Sequence, residues 1–67
     1  MLSARNQFQG IVKTVKLGEV MAEVVVAVGG LEIVSAITRG SAESLRLKPG
    51  DQVKAIIKST EVMIDKP

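Results

Sequence analysis

The stretch that decides the fold is residues 20–38, VMAEVVVAVGGLEIVSAIT. Its first half contains Val24-Val25-Val26-Ala27-Val28, an apolar run too continuous for a strand with one wet face, because such a strand alternates. Gly29-Gly30 follows, and two glycines between β-forming runs supply the positive φ that a two-residue hairpin turn requires. The second half, LEIVSAIT, alternates, with Leu31, Ile33 and Ile37 on one face. Residues 20–28 and 31–38 are therefore predicted as two strands of a hairpin, the first of them buried on both faces.

Working outward, residues 5–16, RNQFQGIVKTVK, read as a preceding strand in which Gly10 marks a bulge or bend, with Leu17-Gly18-Glu19 as the turn out of it. After the hairpin, RGSAESLRL changes period. Ala42, Leu45 and Leu47 are spaced for one face of a short helix, and Ser41 is a suitable N-cap. Lys48-Pro49-Gly50-Asp51 is a turn with proline second and glycine third. Residues 52–58 alternate again, and 61–64 give a short final strand. Three strands, a short helix and two strands form the element order of the oligonucleotide/oligosaccharide-binding (OB) barrel; an SH3-like barrel, the nearest competitor, normally lacks the helix. The expectation is an all-β chain, a small five-stranded OB-like barrel with one short helix between strands 3 and 4, forming a single domain over residues 1–67.

At 67 residues the chain is near the lower size at which one core holds a fold unaided. It has no cysteine and no histidine, and its seven carboxylates (Glu19, Glu23, Glu32, Glu43, Asp51, Glu61, Asp65) are scattered. Zinc sites, hard-cation cages and His-assisted nucleophiles are disfavoured, and with them an enzyme. The remaining way to stabilise so small a domain is to share its core with copies of itself. A hydrophobic content of 46% and the doubly apolar strand both point to such an oligomer.

Nine basic residues against seven acidic leave a net charge of only +2. A polyanion binder shows a denser basic stripe. Single-strand binders on OB barrels also stack bases on aromatic rings, whereas this chain has no Trp, no Tyr and one Phe, Phe8. Nucleic acid is thus not the expected partner. No apolar run approaches the roughly 20 residues of a membrane helix, and no signal-peptide pattern opens the sequence, so neither membrane nor export is expected and the default location is the cytoplasm.

Two clusters at strand ends are rich in hydrogen-bond donors: Ser3-Ala4-Arg5-Asn6 and Lys58-Ser59-Thr60. Thr38 and Ser41 form a third, where a strand passes into the helix. Hydroxyls, a guanidinium, an ammonium and backbone N–H groups, with no carboxylate inside the clusters, would suit a small tetrahedral dianion if the fold made them converge. On composition alone plainer readings are the stronger ones. Residues 3–6 read as a solvated terminus, 58–60 as a polar turn and Ser41 as a helix cap.

SARNQFQG, then GEVMAEVVV, then Ser35-Ala36-Ile37-Thr38 and Ser41, and finally AIIKSTEVMI together resemble the molbindins, the small molybdate-binding Mop proteins, from Ser3 to about Ile64. The resemblance implies an OB-like subunit assembled as a hexamer, a trimer of dimers, that binds molybdate or tungstate between subunits without a covalent cofactor or a protein-bound metal ion. By motif, Ser3, Ala4 (through its backbone), Arg5, Lys58 and Ser59 of one subunit would face Thr38 and Ser41 of a neighbour. The family also has oxyanion sites on its threefold axis, for which Gly18, Glu19 and Val20 are the candidates here. The implied role is cytoplasmic storage or homeostasis of molybdenum. Two alternatives stay open: a nucleic-acid-binding OB module, and a structural or regulatory interaction domain.

The donor chemistry also implies a selectivity. Phosphate at neutral pH keeps a proton that needs an acceptor, and a pocket made of donors leaves that proton unpaired. Sulfate accepts only, so it is rejected by being smaller than molybdate. Tungstate matches molybdate in charge and size, and little discrimination between them is expected.

Overall fold

A computed structural model of the chain describes residues 4–67. Its elements are strand β1 (Asn6–Leu17), strand β2 (Met21–Val28), strand β3 (Leu31–Thr38), helix α1 (Arg39–Ser44) and strand β4 (Gln52–Ile57), followed by a single 3-10 turn at Ser59–Glu61. The four strands form one antiparallel sheet in the order β3-β2-β1-β4. The all-β class, the hairpin and the single short helix between strands 3 and 4 follow the sequence expectation. The fifth strand does not form: 61–64 begins in the 3-10 turn and continues without a sheet partner. As a result the sheet is not closed, and β3 and β4 are its two free edges.

The long strand β1 serves two partners. Asn6 to Ile11 pair with Ile57 to Gln52 of β4, and Ile11 to Leu17 pair with Ala27 to Ala22 of β2. The register slips between Val12 and Thr14, so the bulge expected at Gly10 lies further along. Bulges increase the local twist, and here the twist falls where β1 changes partners. Gly10 has another reason to be glycine. A Cβ there would sit 2.5 Å from the Ala27 carbonyl oxygen and 2.7 Å from Val26 Cγ1, so only a residue without a side chain allows β1 to cross β2 so closely.

At the hairpin Gly29 takes φ +59, the left-handed conformation that glycine adopts at no steric cost. Gly50 takes φ +95 after Pro49, and Asp51 N–H donates to the Lys48 carbonyl at 3.2 Å, as in a type II turn.

The core is thin. Val12, Val24 and Val26 form the buried cluster, with Val15, Val28, Ile37, Leu47 and Val53 packed against it, and Ala22 and Ala42 are buried as well. Each fully buried valine contributes about 1.5–3 kcal/mol, a small total for a chain of this length. Of the predicted helix face, Ala42 is buried and Leu47 half-buried, while Leu45 is exposed, because the helix ends at Ser44 before it completes a second turn. Exposed apolar side chains are plentiful: Val20, Leu31, Val34, Leu45, Met63 and Ile64 all lie open to solvent.

Candidate functional site

The β1–β4 register brings two of the donor clusters together. Asn6 is paired with Ile57, so the chain immediately outside that pair carries Arg5 on one strand and Lys58 on the other, with Ala4 and Ser59 one step beyond. Ser3 lies outside the described residues. A local turn shapes the first cluster: Gln7 N–H donates to the Arg5 carbonyl at 3.1 Å, and Gln7 Nε2 donates to the Ala4 carbonyl at 2.6 Å. The second cluster is shaped by the 3-10 turn, in which the Lys58 carbonyl accepts from Glu61 N–H at 2.8 Å and the Ser59 carbonyl accepts from Val62 N–H at 3.4 Å. Both turns consume carbonyls and not the hydroxyl, ammonium or guanidinium groups of the clusters. Among the described residues no ion pair engages Arg5 or Lys58.

The same turn brings in a carboxylate from just outside the donor cluster. Glu61 lines the groove that Lys58 also lines. The signal was available in sequence, since a residue three positions on in a tight turn returns beside the first.

Thr38 and Ser41 come together at the start of α1, and their roles are the reverse of those expected. Thr38, not Ser41, is the N-cap: its Oγ1 accepts from Ser41 N–H at 3.1 Å and donates to Ser41 Oγ at 2.8 Å. Thr38 thereby uses its one hydroxyl proton inside the pair. Ser41 Oγ, which accepts from Thr38, retains its own proton for an outside acceptor.

The register sets this third cluster at the other end of β1 from the first two, although Ile37, next to Thr38, and Lys58 line one groove. Thr38 pairs with Met21, beyond the Leu17 end of β1, whereas Arg5 and Lys58 flank its Asn6 end. The 12 residues of β1 separate them.

The loop carrying Gly18, Glu19 and Val20 is exposed and tied to α1. Gly18 N–H donates to the Met21 carbonyl at 2.8 Å, Arg39 N–H donates to the Val20 carbonyl at 2.7 Å, and Arg39 Nη1 donates to the Gly18 carbonyl at 3.2 Å. The Gly18 donor is therefore already engaged. Arg39, which sequence reasoning passed over, lashes this loop to the strand–helix junction and reaches Glu43 across one helical turn, at 3.6 Å; its i,i+4 spacing from Glu43 was the readable sign. Among the described residues, no group of three or more acidic, His or Cys side chains could hold a metal ion, and no helix is long and apolar enough to cross a membrane.

Comparison with known proteins adds three relatives and one family model. The TOBE domain model matches residues 2–64. The chain is 50% identical over 64 residues to molybdenum-pterin-binding protein 3 of Clostridium pasteurianum, covering 94% of each. Its fold is similar to that of a molybdate-binding protein from Sporomusa ovata, with a TM-score of 0.94, 42% identity and 98% coverage of both chains. It is similar also to the cytoplasmic molybdate-binding protein ModG in a molybdate-bound form, with a TM-score of 0.83 and 47% identity, covering 88% of this chain and 43% of that one.

Proposed function

Since the chain belongs to the TOBE domain family and within it to the molbindins, which bind and do not catalyse, we propose that it is a cytoplasmic molybdate-binding protein that takes tungstate as well and serves to store or buffer molybdenum. The observation that carries this reading is the Asn6–Ile57 register, which sets Arg5 beside Lys58 and Ser59 with no ion pair to either cation among the described residues. A tetrahedral dianion offers acceptors only, and charge-assisted hydrogen bonds from such groups contribute about 1.5–3 kcal/mol each.

In this reading the site lies between copies. Ser3, Arg5, Lys58, Ser59 and the Ala4 backbone face Ser41 and Thr38 of a neighbour, because in one chain they sit at opposite ends of β1. The proton that Ser41 keeps is the one offered to the oxyanion, and Thr38 aims it. The assembly is a hexamer built as a trimer of dimers, consistent with the thin core and the many exposed apolar side chains. Gly18, Glu19 and Val20 remain candidates for a second, axial site, where only the N–H groups of Glu19 and Val20 are left to donate.

Isothermal titration of the purified protein with molybdate, tungstate, sulfate and phosphate tests the reading. Saturable binding of the first two, and none of the last two at the same concentrations, is the expected result. Equal binding of sulfate, or no uptake of molybdate, would overturn it.

A further inference from the structure

At the outer end of the β1–β4 ladder one exposed side chain is bonded to backbone. Gln7 donates from Nε2 to the Ala4 carbonyl at 2.6 Å, while its own N–H donates to the Arg5 carbonyl at 3.1 Å. No buried group requires the side-chain bond, and holding a long side chain in one rotamer costs conformational entropy where water is at hand as a partner. What the bond does fix is a peptide plane. The Ala4–Arg5 peptide is trans, and in a trans peptide the carbonyl and the following N–H point to opposite sides. With the Ala4 carbonyl turned to Gln7, the Arg5 N–H is turned away from it, and it has no backbone partner among the described residues.

We propose that Gln7 is a positioning residue of the oxyanion site: its side-chain amide holds the Ala4–Arg5 peptide so that the Arg5 N–H stands as a fixed donor at the ladder end shared with Lys58 and Ser59. This rests on the reading that the two donor clusters at that end bind a tetrahedral dianion, and it gives the backbone of that strand its part.

The arrangement serves an anion in two ways. A carbonyl oxygen is an acceptor only, so a free Ala4 carbonyl beside the site would repel the ligand, and Gln7 occupies it. The donor of the same peptide is left over for the ligand. The second gain is order. Arg5, Lys58 and Ser59 are exposed, and their side chains must be immobilised when the anion arrives, whereas an N–H already fixed by Gln7 has no such cost to meet at binding.

The test uses the full chain and two variants. Gln7→Met keeps the length of the side chain and removes its donor, and Gln7→Asn keeps the amide but is one methylene shorter. In both, the N–H of residue 7 still reaches the Arg5 carbonyl, so one hydrogen bond is lost, and Gln7 lies outside the buried cluster, so the apo melting temperature should not change. Molybdate titration calorimetry is read beside proton–nitrogen correlation NMR of the Arg5 amide. Expected is a downfield shift of the Arg5 amide proton when molybdate is added to the parent, a smaller shift in both variants, and binding weaker by roughly tenfold, the value of one hydrogen bond to a charged group. A Gln7 that merely braced the end of β1 would lower the melting temperature and leave the Arg5 shift as it was. Full affinity in either variant, an Arg5 shift that the variants leave unaltered, or a parent whose Arg5 amide ignores bound molybdate would each overturn the positioning role and leave molybdate binding standing. A parent that takes up no molybdate would overturn both.

Discussion

Asn6 and Ile57 are the outermost register partners of β1 and β4, and from that one pair the two cationic residues Arg5 and Lys58 leave the sheet on adjacent strands. If both engage one oxyanion, losing either should cost the full value of a charge-assisted hydrogen bond. Lys58→Ala is expected to weaken molybdate binding by roughly ten- to a hundredfold, from about 1.5–3 kcal/mol, with the thermal unfolding of the apo protein unchanged because Lys58 is exposed. Titration calorimetry of this variant beside the parent checks it, and equal affinities would remove Lys58 from the site.

Thr38 holds α1 through its Oγ1, which accepts from Ser41 N–H. Thr38→Val keeps the shape and deletes the cap, and should cost about 1 kcal/mol of stability in urea unfolding. Thr38→Ser should restore it. Molybdate affinity should follow the same order, since Thr38 also orients the Ser41 hydroxyl.

Gly10 is held against the Ala27 carbonyl. Gly10→Ala must push two backbones apart, and a loss of about 1–3 kcal/mol is expected, as for other overpacked sites. Gly30→Ala, where an added Cβ meets nothing within 4 Å, is the control, and equal midpoints for the two variants would contradict the close crossing of β1 and β2.

A ligand bound between copies stabilises the assembly by mass action. Molybdate at a hundred times its dissociation constant should add about 2.7 kcal/mol to folding. The melting temperature should rise with molybdate and depend on protein concentration. A melting temperature indifferent to molybdate at saturation would rule out an interfacial site.

Much of the fold was legible because its signals are local. Gly29-Gly30 needed only its own φ to announce a hairpin, and Pro49-Gly50 only its neighbours to announce a turn. The misread elements depend on what lies far away in sequence. Gly10 reads as a bulge because a glycine in a strand has two explanations, and only the position of Ala27 chooses between them. Ser41 reads as the cap because Ser is at least as good an N-cap as Thr, and the choice falls to Thr38 through the point at which β3 stops. Residues 61–64 read as a short strand, yet Ser59–Glu61 winds into a 3-10 turn and the segment after it pairs with neither free edge of the sheet.

The sequence by itself therefore determined the all-β class, the order of the first four strands and the helix, and the donor character of three clusters, because each of these rests on residue type and short spacing. The tertiary structure alone decided which clusters meet. Pairing Asn6 with Ile57 joined two of them, and the length of β1 kept Thr38 and Ser41 at the other end. Register is a property of two distant segments together, and neither carries it in its own residues.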